Sequence, residues 1–338
     1  MNYPQQLTDM IEQYERIGSE GRHLTLPKKF IVTHPAFFRG IHKLRGLKQK
    51  KLAELCPGID EPLCELYEYM RSRIVHGKDG EQTGRDRNLP GSIEQILNNS
   101  PDITNLELLQ IPECFENTDL AHTAASVKYA WEIGQKELSR EKKHINEHRQ
   151  KMLMAAIIVH DCAYPKTENF KDFTSAETRV KHMENAVIEF KYFAKKIDED
   201  YNKIHGKPYF RNVMDEVCHI VEQHDKPSVP THERFRDFFA MRVSSEIFWV
   251  HREADRLWML DEAGFALDLA RRLLEDNPWY NPEKYLNHVV KQHQKESKVY
   301  IGRTSCRQFQ GENTLYRTDA GFETFKRLVA ERKADYCM

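Results

Sequence analysis

One stretch constrains this chain more than any other. Met152–Pro165, MLMAAIIVHDCAYP, is an apolar helical run that ends in the adjacent pair His160-Asp161. Neighbours on a regular helix diverge by about 100°, so two adjacent polar side chains serve one cluster only at a helix end or a local distortion. The end of the run, just before CAYP, is such a place. The other chemically informative residues lie on either side of it: His122 in DLAHTAASVKYAWEIG, His182 in RVKHMENAVIEF, His224 in EVCHIVEQHDKP and Asp255 in HREADRLWMLDEAG.

Together these positions supply four imidazoles and two carboxylates. A two-metal site built on helices needs that mixture, with at least one carboxylate able to reach both ions. Taken singly, each has an ordinary explanation, since a lone helical histidine is more often a surface or core residue than a ligand. Other residues compete for the same role. His219 and Asp225 flank or adjoin His224, and EQHDKP is itself a second His-Asp dipeptide. His251 lies one turn before Asp255 and could replace another ligand. His144 and His148 are one turn apart, but KHINEHRQK is so polar that a solvated face is expected.

The remaining composition is that of an ordinary soluble chain. Fifty-one Lys and Arg against 52 Asp and Glu give a formal net charge of -1, so no global field draws in nucleic acid or an anionic membrane. An anionic substrate would have to be met by local positive charge. The seven cysteines are scattered without a CxxC pair, which argues against a disulfide framework or a cysteine zinc site and points to a reducing cytoplasm. No run approaches the ~20 apolar residues that span a bilayer, and the N-terminal MNYPQQLTDMIEQYERIG has no export pattern.

Periodicity predicts a mainly α chain. Residues 1–100 read as a helical extension, with helices over Leu7–Ile17 and Pro62–Ile74. Pro27, Pro35 and Gly40 act as breaks, and an exposed glycine-rich loop covers 76–90. Residues 101–296 read as a second helical domain, the one that carries all six candidate ligands. Its helices run from Thr118 or Asp119 to Gly134, about Arg140–Val159, from Thr174 or Ser175 through Phe193, from Pro208 to before Pro227, Ser245–Leu260, Glu262–Glu275 and Pro282–Lys295. A tail, 297–338, holds short β-like or irregular pieces and a final helix from Ala320. Two roles suit residues 1–100, covering the cavity or forming a homodimer surface.

The order H…HD…H…H…D resembles the HD-domain superfamily of metal-dependent phosphohydrolases and their di-iron oxygenase relatives. The likeness covers about His122 to Asp255, where LAHTAASV, AAIIVHDCAY and EADRLWMLD look like the family's first histidine, its HD signature and its final aspartate helix. It implies a helical bundle in which His122, His160, Asp161 and Asp255 hold a first metal, and Asp161 bridges to a second held by His182 and His224. The two further histidines are similar to the binuclear branch. Two divalent ions are then expected as cofactors, with Fe, Mn, Mg and Co equally compatible with the ligand types.

For a small phosphorylated substrate, Lys166, Arg179 and Lys226, with Arg252 and Arg256, are the candidate cations beside the catalytic Asp161. HDCAYPKTE departs from the HDxGK form of cyclic-dinucleotide members and the GYP motif is absent, so that substrate is not expected. The size of the hydrolytic branch favours phosphate ester hydrolysis. Two alternatives remain: a mixed-valent di-iron oxygenase cleaving a C–C or C–P bond, and a catalytically silent scaffold that binds a nucleotide or a protein.

Overall fold

The computed structural model describes residues 34–76, 118–140, 147–163, 176–225, 246–274, 281–299 and 316–338. Its regular elements are all helical: α1 Pro35–Gln49, α2 Leu52–Leu55, α3 Glu61–His76, α4 Thr118–Arg140, α5 Glu147–Val159, α6 Ala176–His205, α7 Met214–Gln223, α8 Glu246–Leu257, α9 Glu262–Leu274, α10 Pro282–Val299 and α11 Asp319–Asp335. A short 3₁₀ turn, Trp258–Leu260, joins α8 to α9. The expected mainly α class is therefore observed, and no strand occurs among the described residues. Nor is any described helix long and apolar enough to cross a membrane.

The bundle is built around α5. Every side chain from Met152 to Val159 is buried, which a helix without a polar face requires. Helices α3, α4, α6, α7 and α8 surround it. At its polar start, Lys151 lays its ammonium 3.6 Å from the centre of the Tyr209 ring, so the alkyl stem covers apolar surface while the charge finds a π face. α1 and α3 belong to the same hydrophobic core as α4, α5 and α9. The division expected near residue 100, the helix over Leu7–Ile17, the loop beyond His76 and the β-like part of the tail lie outside the described residues.

Two expected breaks are corrected. Pro35 and Gly40 do not interrupt the chain: Pro35 opens α1 and Gly40 sits within it. Pro35 occupies the first helical position, where its missing N–H costs nothing and its fixed φ suits the helix, and His34 caps the turn by accepting from the Ala36 N–H at 3.2 Å. Gly40 is there because α9 packs so close. A Cβ at this position would lie 2.4 Å from Ala266 Cβ and 2.5 Å from the Glu262 carbonyl. Likewise, α4 continues through Gly134 to Arg140.

The final helix expected from Ala320 is α11, and it is tied to the centre of the molecule. Glu253 of α8, fully buried, accepts from the backbone N–H groups of Arg317 and Thr318 and from the Thr318 hydroxyl. Glu137 of α4 accepts from Ala320 N–H at 2.7 Å. Two carboxylates thus meet the N-terminal end of α11, where the helix dipole and unpaired donors favour negative charge. Burial nevertheless pushes the Glu253 carboxyl up to about 8.

Candidate metal centre

His160 and Asp161 stand just past the last turn of α5, in a turn closed by Cys162 N–H donating to the Val159 carbonyl at 3.2 Å. The helix end expected from the apolar run is where the structure has it. There the His160 ring turns back: its Nδ1 lies 2.8 Å from the Ile157 carbonyl. A carbonyl only accepts, so Nδ1 carries the proton and Nε2 presents its lone pair inward. His224 repeats the device one helix later. It follows the last residue of α7 and places Nδ1 2.7 Å from the Val221 carbonyl, leaving Nε2 as an acceptor.

Two sets of three donors result, the ligand atoms of each lying within 4.8 Å of one another: His122, His160 and Asp255, and Asp161, His182 and His224. All six sequence-derived candidates are thus brought together, and all are buried. In the second set the geometry is tight. Asp161 Oδ1 is 3.4 Å from His182 Nε2 and 3.5 Å from His224 Nε2, and the two nitrogens are 3.3 Å apart. A point equidistant from three atoms so spaced lies about 2 Å from each, the length of an imidazole or carboxylate bond to a divalent ion. In the first set, Asp255 Oδ1 is 3.0 Å from His122 Nε2 and 3.5 Å from His160 Nε2.

Asp161 connects the two. While Oδ1 faces His182 and His224, Oδ2 turns to the other side, 3.3 Å from His122 Nδ1 and 3.7 Å from His160 Nε2. The electrostatics ask for a cation. Burial alone would push His160 down, but the carboxylates of Asp161 and Asp255 outweigh it and bring the imidazole up to about 9. Burial would likewise raise Asp255, yet the His122 and His160 imidazoles beside it hold it well below the usual carboxylate range. The cluster holds positive charge, a proton or a metal ion. His160 Nε2 has no hydrogen-bond partner, as suits a nitrogen whose lone pair is reserved for an ion. The donor set fits two divalent cations.

Other candidates fall elsewhere. His251 is fully buried but outside both donor sets, its ring edge-on to His160 and His224 at 5.4 and 5.6 Å. Burial, then the neighbouring His160 and His224 imidazoles, holds it well below its ordinary value, so it is neutral. His219 and His148 are exposed. Asp225 belongs to neither donor set and pairs with Arg256 at 3.1 Å. Arg252 is entirely buried beneath the ligands and is not placed to receive a substrate. Lys166, Lys226, His144 and the side chain of Arg179 lie outside the described residues.

Sequence reading gave Trp258 no role at the site. Its indole stacks on the His122 ring at 5.6 Å and 14°, covering a ligand. Gly264 makes the space for it, since a Cβ there would lie 2.1 Å from the Trp258 carbonyl and 2.8 Å from the indole. The pairing of a tryptophan with a glycine six residues on was the available signal, though a weak one.

No protein-family model matches the chain, and neither a curated protein nor a solved structure is significantly similar to it. What fold and site define together is an all-helical architecture, among the described residues, carrying six buried histidine and aspartate side chains in two adjoining donor sets.

Proposed function

We propose that this chain is an HD-type metal-dependent phosphohydrolase acting on the phosphate ester of a nucleotide or another small phosphorylated molecule. The observation that carries the reading is Asp161, whose two oxygens face the two donor sets. His122, His160 and Asp255 would hold one divalent ion, and Asp161, His182 and His224 the other. When bound, two such ions polarise a phosphoryl oxygen and lower the pKa of a water enough to make it a nucleophile near neutral pH.

The protein's part is orientation and charge. The Ile157 and Val221 carbonyls fix the ring planes and tautomers of His160 and His224. Trp258 shields His122 from solvent. As metal ligands, Asp161 and Asp255 would carry two negative charges and the four imidazoles none. Two divalent ions would leave the centre with a net charge of +2, which suits an anionic phosphate ester in a chain whose overall charge is -1.

The test is phosphate release from nucleotides, sugar phosphates and an activated phosphodiester by protein stripped with a chelator and reloaded with Mn(II) or Co(II). Release that requires the reloaded ion and disappears in Asp161→Ala supports the reading. Failure of every substrate, together with a mixed-valent di-iron signal and dioxygen consumption in anaerobically purified protein, would replace it with the oxygenase. Full metal occupancy with neither activity would leave a binding scaffold.

A further inference from the structure

We propose that Arg252 is the positioning residue that ties the two halves of this centre together, an inference that rests on the two-metal reading above. Its guanidinium is fully buried, and burying a charge is expensive unless it is paired and hydrogen-bonded. Nη1 donates to the backbone carbonyl of His224. The same nitrogen lies 3.8 Å from Asp255 Oδ2 and 3.7 Å from Asp225 Oδ1. One side chain therefore meets a ligand from each donor set, His224 through its main chain and Asp255 through its carboxylate.

These contacts divide the work of the ligands. Asp255 gives Oδ1 to His122 and His160 and turns Oδ2 toward Arg252, so the guanidinium would leave Oδ1 as the oxygen offered to an ion. The His224 carbonyl is one of the groups a helix leaves unpaired at its C-terminal end. Arg252 satisfies it and thereby holds the residue whose ring Nε2 completes the other set. Nη1 makes all three contacts, and the rigid guanidinium plane fixes where that nitrogen sits, whereas a lysine ammonium on a flexible stem is not held in this way. Arg256, one turn further along α8, pairs with Asp225, which belongs to neither donor set; its charge also bears on Asp255, so the control is Arg256→Lys, which keeps that charge.

The experiment is a two-site Mn(II) titration of the full, metal-stripped chain by calorimetry, with thermal unfolding of the stripped protein alongside. Arg252→Lys is expected to fold and to weaken both sites by about tenfold to a hundredfold, the usual effect of removing a group that orients ligands. Arg252→Met, which removes the charge and keeps an apolar stem, is expected to do the same. Arg256→Lys should stay within about threefold of the wild type at both sites. Two unaltered affinities in both Arg252 variants would overturn the proposal, and so would weakening confined to one site. Failure of both variants to unfold cooperatively when stripped would overturn it too, by making Arg252 a residue of the fold rather than of the centre. If the wild type itself binds no ion, the two-metal reading falls and this inference with it. Two ions in the wild type and unchanged variants would remove this inference alone.

Discussion

The chain contains two His-Asp pairs at helix ends, His160-Asp161 after α5 and His224-Asp225 after α7, and they behave alike in one residue and oppositely in the other. Both histidines donate Nδ1–H to the carbonyl three residues back, at 2.8 and 2.7 Å, and both turn Nε2 inward. The aspartates diverge. Asp161 meets His122, His182 and His224 at 3.3–3.5 Å, whereas Asp225 meets Arg256 at 3.1 Å and Arg252 at 3.7 Å. The dipeptide fixes the local turn, and its surroundings decide what the carboxylate is for. Ringed by imidazoles, it faces a place for a cation; faced with guanidinium groups, it already has one.

The sharpest way to break that comparison is to truncate each aspartate in turn. Asp161→Ala should abolish binding at both metal positions, and retained occupancy at either, read by elemental analysis after gel filtration, would show that the carboxylate is not shared. Asp225→Ala should keep both ions but lose about 1–3 kcal/mol of stability, because two guanidinium groups lose a partner. Denaturant unfolding of the stripped protein measures this, and an unchanged midpoint would contradict the pairing.

Next in size is the support behind the first donor set. Gly264→Ala forces a Cβ against the Trp258 carbonyl and indole, at an expected ~1–3 kcal/mol, and should move the indole off His122. The change in tryptophan fluorescence on Mn(II) addition would then shrink. A fluorescence response and a stability equal to the wild type's would show that the indole does not depend on this glycine.

The smallest effect lies far from the site. Burial and the neighbouring Arg39 lower His34 to about 4, and its neutral ring caps α1 by accepting from Ala36 N–H. A depressed histidine contributes stability that is present above its unfolded value of 6.5 and is lost as pH falls toward 4. His34→Asn keeps an acceptor that does not titrate. Unfolding curves at pH 7 and pH 4.5 should show a smaller acid-side loss in the variant, and equal losses would remove His34 as the cause.

Much of this was legible in the chain itself. The unbroken run Met152–Val159 announces a buried helix, and the polar pair at its end marks where ligands emerge. Six residues of ligand type in the right chemical mixture then pick out the cluster. Less visible was anything set by packing between distant segments. Pro35 and Gly40 read locally as breaks, yet α9, more than 200 residues on, makes Gly40 a point of close helix contact. Nor does HREAD in α8 reveal that Arg252, Glu253 and Asp255 are all buried, each with a different partner. Charge in a sequence reads as solvent exposure until the opposing element is known. Likewise, Asp225 and Asp161 each follow a histidine at a helix end, so only their neighbours across the bundle tell them apart.

The central claim, two ions sharing Asp161, is tested most directly by electron paramagnetic resonance of stoichiometrically Mn(II)-loaded protein, paired with elemental analysis. Two manganese per chain giving an exchange-coupled spectrum is the predicted result, since two-metal centres hold their ions about 3.5–4 Å apart. A single manganese per chain with an isolated six-line signal, or no bound metal at all, would contradict it.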